Sequence, residues 1–214
     1  MRRVGLGTAG VLVVVVGGLL LLGAAGAPPA IDSWWASLMS QLRGVPAVAL
    51  ARVLATIGGT VGMIVIVVAV ATLMLTVRRP WTAVAVTATV ALAAGASSWI
   101  KLLVERPRPS HALAHLTTYS YPSGHATSAA ALAVALALAL PRVWVWVAAS
   151  GWTTLMSWSR TYLEVHWLTD VLAGALLGLS VALIVDGTIR MLGRRFHNSW
   201  WRTGGPPGSV ASDH

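Results

Sequence analysis

Lys101 is the only lysine in a chain whose fourteen other basic residues are all arginine, and Arg108-Pro109 stands seven residues beyond it. Pro122-Ser123-Gly124-His125 follows, then Ser159-Arg160, and then His166 and Asp170 four residues apart. Together these residues suit one task, gripping and attacking a tetrahedral anion. Arginine offers a planar fork to two oxygens and lysine a point charge. Phosphoryl transfer needs charge neutralised on the equatorial oxygens, a positioned nucleophile and a proton for the leaving oxygen.

Each block has its own physical logic. Pro122 is pre-organised for a first helical turn, and Gly124 lets backbone approach a ligand closely. The free amides of such a turn and the positive end of the helix dipole attract anions. Ser123 adds a hydroxyl donor, and His125 points from that turn toward the bound group. His166 and Asp170 share a face at a helix start. A carboxylate there accepts the proton on one imidazole nitrogen, so the other becomes an attacking lone pair. An aspartate one turn inside a membrane helix is costly unless partnered, which favours that pairing. Arg106 reads as an interfacial cation, snorkelling from a span end.

The elements that must position these residues are membrane helices. The 214-residue chain is 57% hydrophobic and 10% charged, against about 25% charged in soluble domains. Six apolar segments run near 4–26, 46–77, 81–104, 124–140, 143–162 and 167–189. The expected class is all-α, one domain over 1–203 of six transmembrane helices, with the motifs confined to 101–170 and a disordered tail at 204–214. An open strand cannot live in lipid, so the alanine-leucine alternation of the fourth segment is read as an interior helix. The first segment is longer than a signal-peptide core and is read as a retained anchor.

Between the first two spans, Ile31, Trp34, Trp35, Leu38, Met39 and Leu42 recur at helical spacing. Asp32, Ser33, Ser37, Ser40, Gln41 and Arg43 fill the other face. Residues 31–43 are thus expected as an amphipathic helix in the headgroup plane, its polar face to water. Tryptophans near segment ends form interfacial belts. With both termini cytoplasmic, most arginines outside the motifs lie inside, and the motifs share the outer face.

The net charge of +9 sits at segment ends rather than in a stripe, which fits anionic lipid and argues against nucleic acid. No cysteine is present. The histidines and carboxylates form no compact ligand set beside three cations, so no metal and no cofactor is expected. His111, His115, Glu105 and Glu164 read as solvated loop groups, and Asp186 as a partner of Arg190.

Lys101 with Arg108-Pro109, Pro122-Ser123-Gly124-His125, and Ser159-Arg160 with His166 and Asp170 together resemble the three motifs of the type 2 phosphatidic acid phosphatase (lipid phosphate phosphatase) family, relatives of vanadium haloperoxidases. Composition supplies the setting: arginine-over-lysine and alanine usage point to a bacterial genome, and the apolar segments to the cell membrane. The resemblance implies a metal-independent phosphatase. His166 would be the nucleophile and form a phosphohistidine, Asp170 would orient it, and His125 would protonate the leaving group. Lys101, Arg108, Ser123, Gly124 and Arg160 would hold the phosphoryl oxygens. The expected partner is a lipid monophosphate or pyrophosphate in the bilayer. An outward site points to a polyprenyl pyrophosphate carrier, with phosphatidylglycerol phosphate and phosphatidic acid also in view. The alternative is a headgroup binder or transporter without chemistry, although no internal repeat is visible.

Overall fold

The computed structural model describes residues 1–23, 28–114 and 116–202, with backbone alone over 194–202. The expected tail at 204–214, the preceding Thr203 and His115 lie outside the described residues. The described residues form eight helices and no strand. They are α1 (Arg2–Gly23), α2 (Ala30–Gln41), α3 (Val45–Ile57), α4 (Thr60–Thr76), α5 (Pro80–Val104), α6 (Gly124–Ala139), α7 (Val143–Tyr162) and α8 (Leu168–Arg202).

Among the described residues, α1, α5 and the first 26 residues of α8 are each long and apolar enough to cross a bilayer. The expected second span is broken. α3 and α4 meet at Gly58-Gly59 with a bend of 60°, and count as a fourth crossing only if taken together. Two glycines in sequence remove the side chains that would stiffen a continuous helix. By length and composition alone, three or four of the six expected crossings are met among the described residues. The reason differs for each of the others. α6 has 16 residues, about 24 Å at the usual helical rise, and α7 carries many Ser, Thr and Trp residues that lower its hydropathy.

α6 can be short because it meets little lipid. Residues 126–135 and Ala137 are buried, enclosed by α5, α7 and α8. Small side chains let the backbones close in where the solvent between helices is itself apolar. Gly174 and Gly178 of α8 face this helix. A Cβ at Gly178 would lie 2.7 Å from Ala131 N, and one at Gly174 would lie 2.5 Å from Ser123 O. α1 packs along α8 in the same manner, with Gly7 and Gly10 against Ser180. Its Val14 carbonyl accepts a hydrogen bond from Tyr121 at 2.7 Å. Val14, Val86, Val90, Ala131 and Leu177 lie within one buried core.

α2 forms as expected, with Ile31, Trp34 and Leu42 exposed and Met39 buried. One residue of its polar face behaves otherwise. Asp32 is fully buried. A second cluster of Met39, Ala51, Tyr162, Leu163 and Val165 seats α2 and α3 against the end of α7. Tyr162 donates to Leu42 O at 2.8 Å and accepts from Gly44 N–H at 2.9 Å. Glu164, expected in solvent, is buried and paired with Arg43. At the opposite end of the bundle Asp186 pairs with Arg190, as the spacing predicts, and also with Arg3.

Candidate active site

The C-terminal ends of α5 and α7 and the N-terminal ends of α6 and α8 come together at one end of the bundle. Lys101 rides the last turn of α5, Gly124 and His125 open α6, Arg160 lies in the last turn of α7, and Asp170 in the first turn of α8. Lys101, Arg108, Gly124, His125, Arg160 and His166 all line one cavity of about 600 Å³. Six of the eight residues expected from spacing thus share one wall. The other two stand directly behind it. Asp170 supports His166, and Ser123 caps α6, its N–H donating to Asp170 O at 2.9 Å.

His166 sits in the short connection between α7 and α8. Arg108 Nη1 is 3.2 Å from His166 Nε2. An arginine can only donate, so Nε2 is the lone-pair nitrogen and Nδ1 carries the proton. Nδ1 lies 3.5 Å from Asp170 Oδ2, beyond a good hydrogen bond, and has no other partner. Catalytic hydrogen bonds are often this loose before substrate arrives. Burial pushes the His166 imidazole down to about 3, with Asp170 pulling upward against it. The ring is therefore neutral.

Arg108 is braced by a loop. Its Nε donates to Thr118 O at 2.7 Å, its Nη2 to Thr118 Oγ1 at 3.0 Å and Tyr119 O at 3.2 Å. Burial lowers its guanidinium from the ordinary value. Lys101 Nζ reaches the same loop, 2.7 Å from Tyr119 O and 3.3 Å from Ser120 O. Arg160 is buried, its Nε has no hydrogen-bond partner, and Ser123 Oγ likewise has none. Buried donors of this kind are costly unless something completes them. Both belong to residues that the spacing assigns to an anion.

His125 is held by the α3–α4 break. Its Nε2 lies 3.0 Å from Ala55 O. Gly59 N–H bonds Thr56 O instead of continuing the helix, so the Ala55 carbonyl is free for the imidazole. A Cβ at Gly124 would meet nothing nearer than Ser97 Oγ at 3.8 Å. The space in front of that glycine belongs to the cavity rather than to a neighbouring side chain.

Sequence reasoning missed three residues here. Ser97 is buried, its hydroxyl has no partner, and it lines the cavity one helical turn before Lys101. That spacing was the available signal. Arg106 is not an interfacial cation but a buried link, bonded to Asp170 Oδ1 at 2.6 Å and Asp32 Oδ2 at 2.7 Å. Asp32, read as water-facing, is its second carboxylate. Among the described residues no group of three His, Asp or Glu side chains is arranged to hold a metal ion.

From this cationic end the cavity runs between α4 and α5, along Met63, Ile64, Val67, Val90, Ala91 and Ala94. A polar mouth and an apolar slot are thus continuous.

Known proteins resemble this chain in sequence and fold. Phosphatidylglycerophosphatase B of Bacillus subtilis (strain 168) is 32% identical over 98 residues, 41% of this chain and 48% of that protein. The matched stretch therefore spans about half of that relative's length. A crystal structure described as the first transmembrane PAP2 type phosphatidylglycerolphosphate phosphatase from Bacillus subtilis superposes with a TM-score of 0.70 at 25% identity, over 84% of this chain and 97% of that one. The Aquifex aeolicus LpxE structure shares the fold, with a TM-score of 0.66 at 20% identity over 74% and 96% of the two chains. The model of the PAP2 superfamily matches residues 82–193, more than half the chain and all the residues around the cationic mouth, and the chain belongs to that superfamily.

Proposed function

We propose that this protein is a membrane phosphatase that removes phosphate from a lipid monophosphate or pyrophosphate without a metal ion. The observation that carries the reading is the single cavity whose mouth is lined by Lys101, Arg108, Arg160 and two histidines and whose depth is apolar. A phosphate head and a hydrocarbon tail fit those two halves.

In this reading the His166 Nε2 lone pair attacks phosphorus while the bond to the leaving oxygen breaks. Lys101, Arg108 and Arg160 neutralise the equatorial oxygens, with Ser123 Oγ and the first amides of α6 as further donors. His125 gives its proton to the leaving oxygen. The Ala55 carbonyl accepts from Nε2–H, so the transferable proton of an imidazolium at this position is the one on Nδ1. Water then attacks the phosphohistidine, His125 takes up its proton, and phosphate leaves with His166 restored. Asp170 orients the ring and stabilises the positive charge that it acquires.

The relatives named for phosphatidylglycerol phosphate make that lipid the first substrate to assay. A mouth on the outer face, the side that the arginine placement implies, would favour polyprenyl pyrophosphate beside it. Purified protein in detergent with chelator should release phosphate from one of these lipids and little from the matching water-soluble headgroup. His166→Ala should abolish release. Lipid binding without release would instead favour a headgroup carrier, and activity lost in chelator would end the metal-free reading.

A further inference from the structure

Arg106 lies between two carboxylates from distant parts of the chain. Its Nη1 donates to Asp170 Oδ1 at 2.6 Å and to Thr169 Oγ1 at 2.7 Å, and its Nη2 donates to Asp32 Oδ2 at 2.7 Å. Asp32 in turn accepts from Thr169 N–H at 2.8 Å on Oδ1 and from Thr169 Oγ1 at 2.7 Å on Oδ2. The guanidinium stands over the Trp167 ring at 5.5 Å. Asp32 and Asp170 are both 0% exposed and Arg106 is 7% exposed. The remaining Asp170 oxygen accepts from Trp167 N–H at 2.9 Å and faces His166.

We propose that Asp32, on the interfacial helix α2, is a positioning residue for His166, acting through Arg106 and Asp170. A buried ion triad is weak evidence of stability, because desolvation offsets most of its attraction. Its geometry is specific, however. One planar guanidinium bonds both acids, so the orientation of the Asp170 carboxylate is set from α2. Charge points the same way. An arginine paired with Asp170 alone would neutralise it. Sharing that cation with Asp32 leaves net negative charge beside the imidazole, where a developing imidazolium needs it. Asp32 also supplies a trans cap to a free amide at the start of α8, the helix that carries Asp170.

The inference rests on the reading of His166 as nucleophile with Asp170 behind it, and the experiment separates the two. Steady-state turnover, inhibition by inorganic phosphate and melting temperature are measured for Asp32→Asn, Arg106→Lys, Asp170→Asn and the Asp32→Asn/Asp170→Asn pair. Asparagine keeps an acceptor for Thr169, and lysine keeps the charge but lacks the planar fork that bonds both carboxylates and Thr169 at once. Expected are kcat losses of about 10- to 100-fold for Asp32→Asn and for Arg106→Lys, the scale of lost outer-shell support. KM and the phosphate inhibition constant should stay within about twofold. Asp32→Asn should add nothing in the Asp170→Asn background, since it acts through that residue. If Asp32→Asn does not fold, Arg106→Lys carries the same comparison. Unchanged kcat in folded Asp32→Asn, or a loss that multiplies with Asp170→Asn, overturns the positioning role. Full turnover in Asp170→Asn would instead overturn the reading of the site itself.

Discussion

Arg108 Nη1 points at His166 Nε2 from 3.2 Å, so a cation of the proposed cradle rests on the nitrogen proposed to attack. When a phosphoryl group arrives, the guanidinium has oxygens to bond and the lone pair is released toward phosphorus. Arg108→Lys keeps the charge and loses the fork, together with the bonds to Thr118 and Tyr119. The expected outcome is a fall of about 10²- to 10³-fold in kcat/KM, the usual cost of one oxyanion donor, measured as phosphate release from micellar substrate.

Acid should expose His166. Its folded value is about 3, against an ordinary 6.5. Between those limits the unfolded chain binds a proton that the folded chain refuses. Stability from this group is complete above about pH 6.5 and is lost as pH falls toward 3. Melting temperature in detergent should drop between pH 7 and pH 5, and His166→Gln should flatten that slope. Parallel slopes would mean that the imidazole titrates normally.

Ser97 offers a cleaner substitution than any motif residue. Its hydroxyl is buried without a partner on the wall of the cavity. Removing an unpaired buried hydroxyl leaves stability unchanged or slightly raised, whereas losing a bond to a charged group costs about 1.5–3 kcal/mol. Ser97→Ala should therefore melt no lower than the parent while kcat/KM falls by about 10- to 100-fold. Equal activity would remove Ser97 from the headgroup site.

Gly178 tests the packing that holds α6 against α8. A side chain there must displace the backbone of Ala131 and Thr127, and overpacking of this kind costs about 1–3 kcal/mol. Gly178→Val should melt well below Gly193→Val, since a Cβ at Gly193 meets nothing within 4 Å.

Orientation is open to a direct assay because the chain has no cysteine. Ser110 is exposed on the loop beside Arg108. Ser110→Cys should react with an impermeant thiol reagent in intact cells, and labelling confined to lysed cells would place the site inside.

The motif blocks that meet at the cavity were legible because they are local. His166 and Asp170 are four residues apart at the entry to α8, with His166 just ahead of its first turn, and Pro122 to His125 lead into α6, so spacing alone brings each set to one helix start. Helical periodicity also located α2. It could not reveal that Asp32 turns inward, because periodicity describes a face and not its partner. That partner, Arg106, is 74 residues away. The Gly58-Gly59 pair was in view, but a long apolar run masks a break when both halves are equally greasy. Ser97 was passed over because a lone serine in a membrane helix usually bonds its own backbone, as Ser98 does to Ala94 O.

The interruption at Gly58-Gly59 has a consequence for how such a reaction can be run within oil. Free acceptors are scarce in a lipid-soaked bundle, since every regular helix consumes its own. Ending α3 early leaves the Ala55 oxygen unspent just where the His125 ring needs an anchor. A straight rod through the same positions would reclaim that oxygen and leave the imidazole to swing. The discontinuity that costs this span its regularity is thus what keeps the His125 ring aimed.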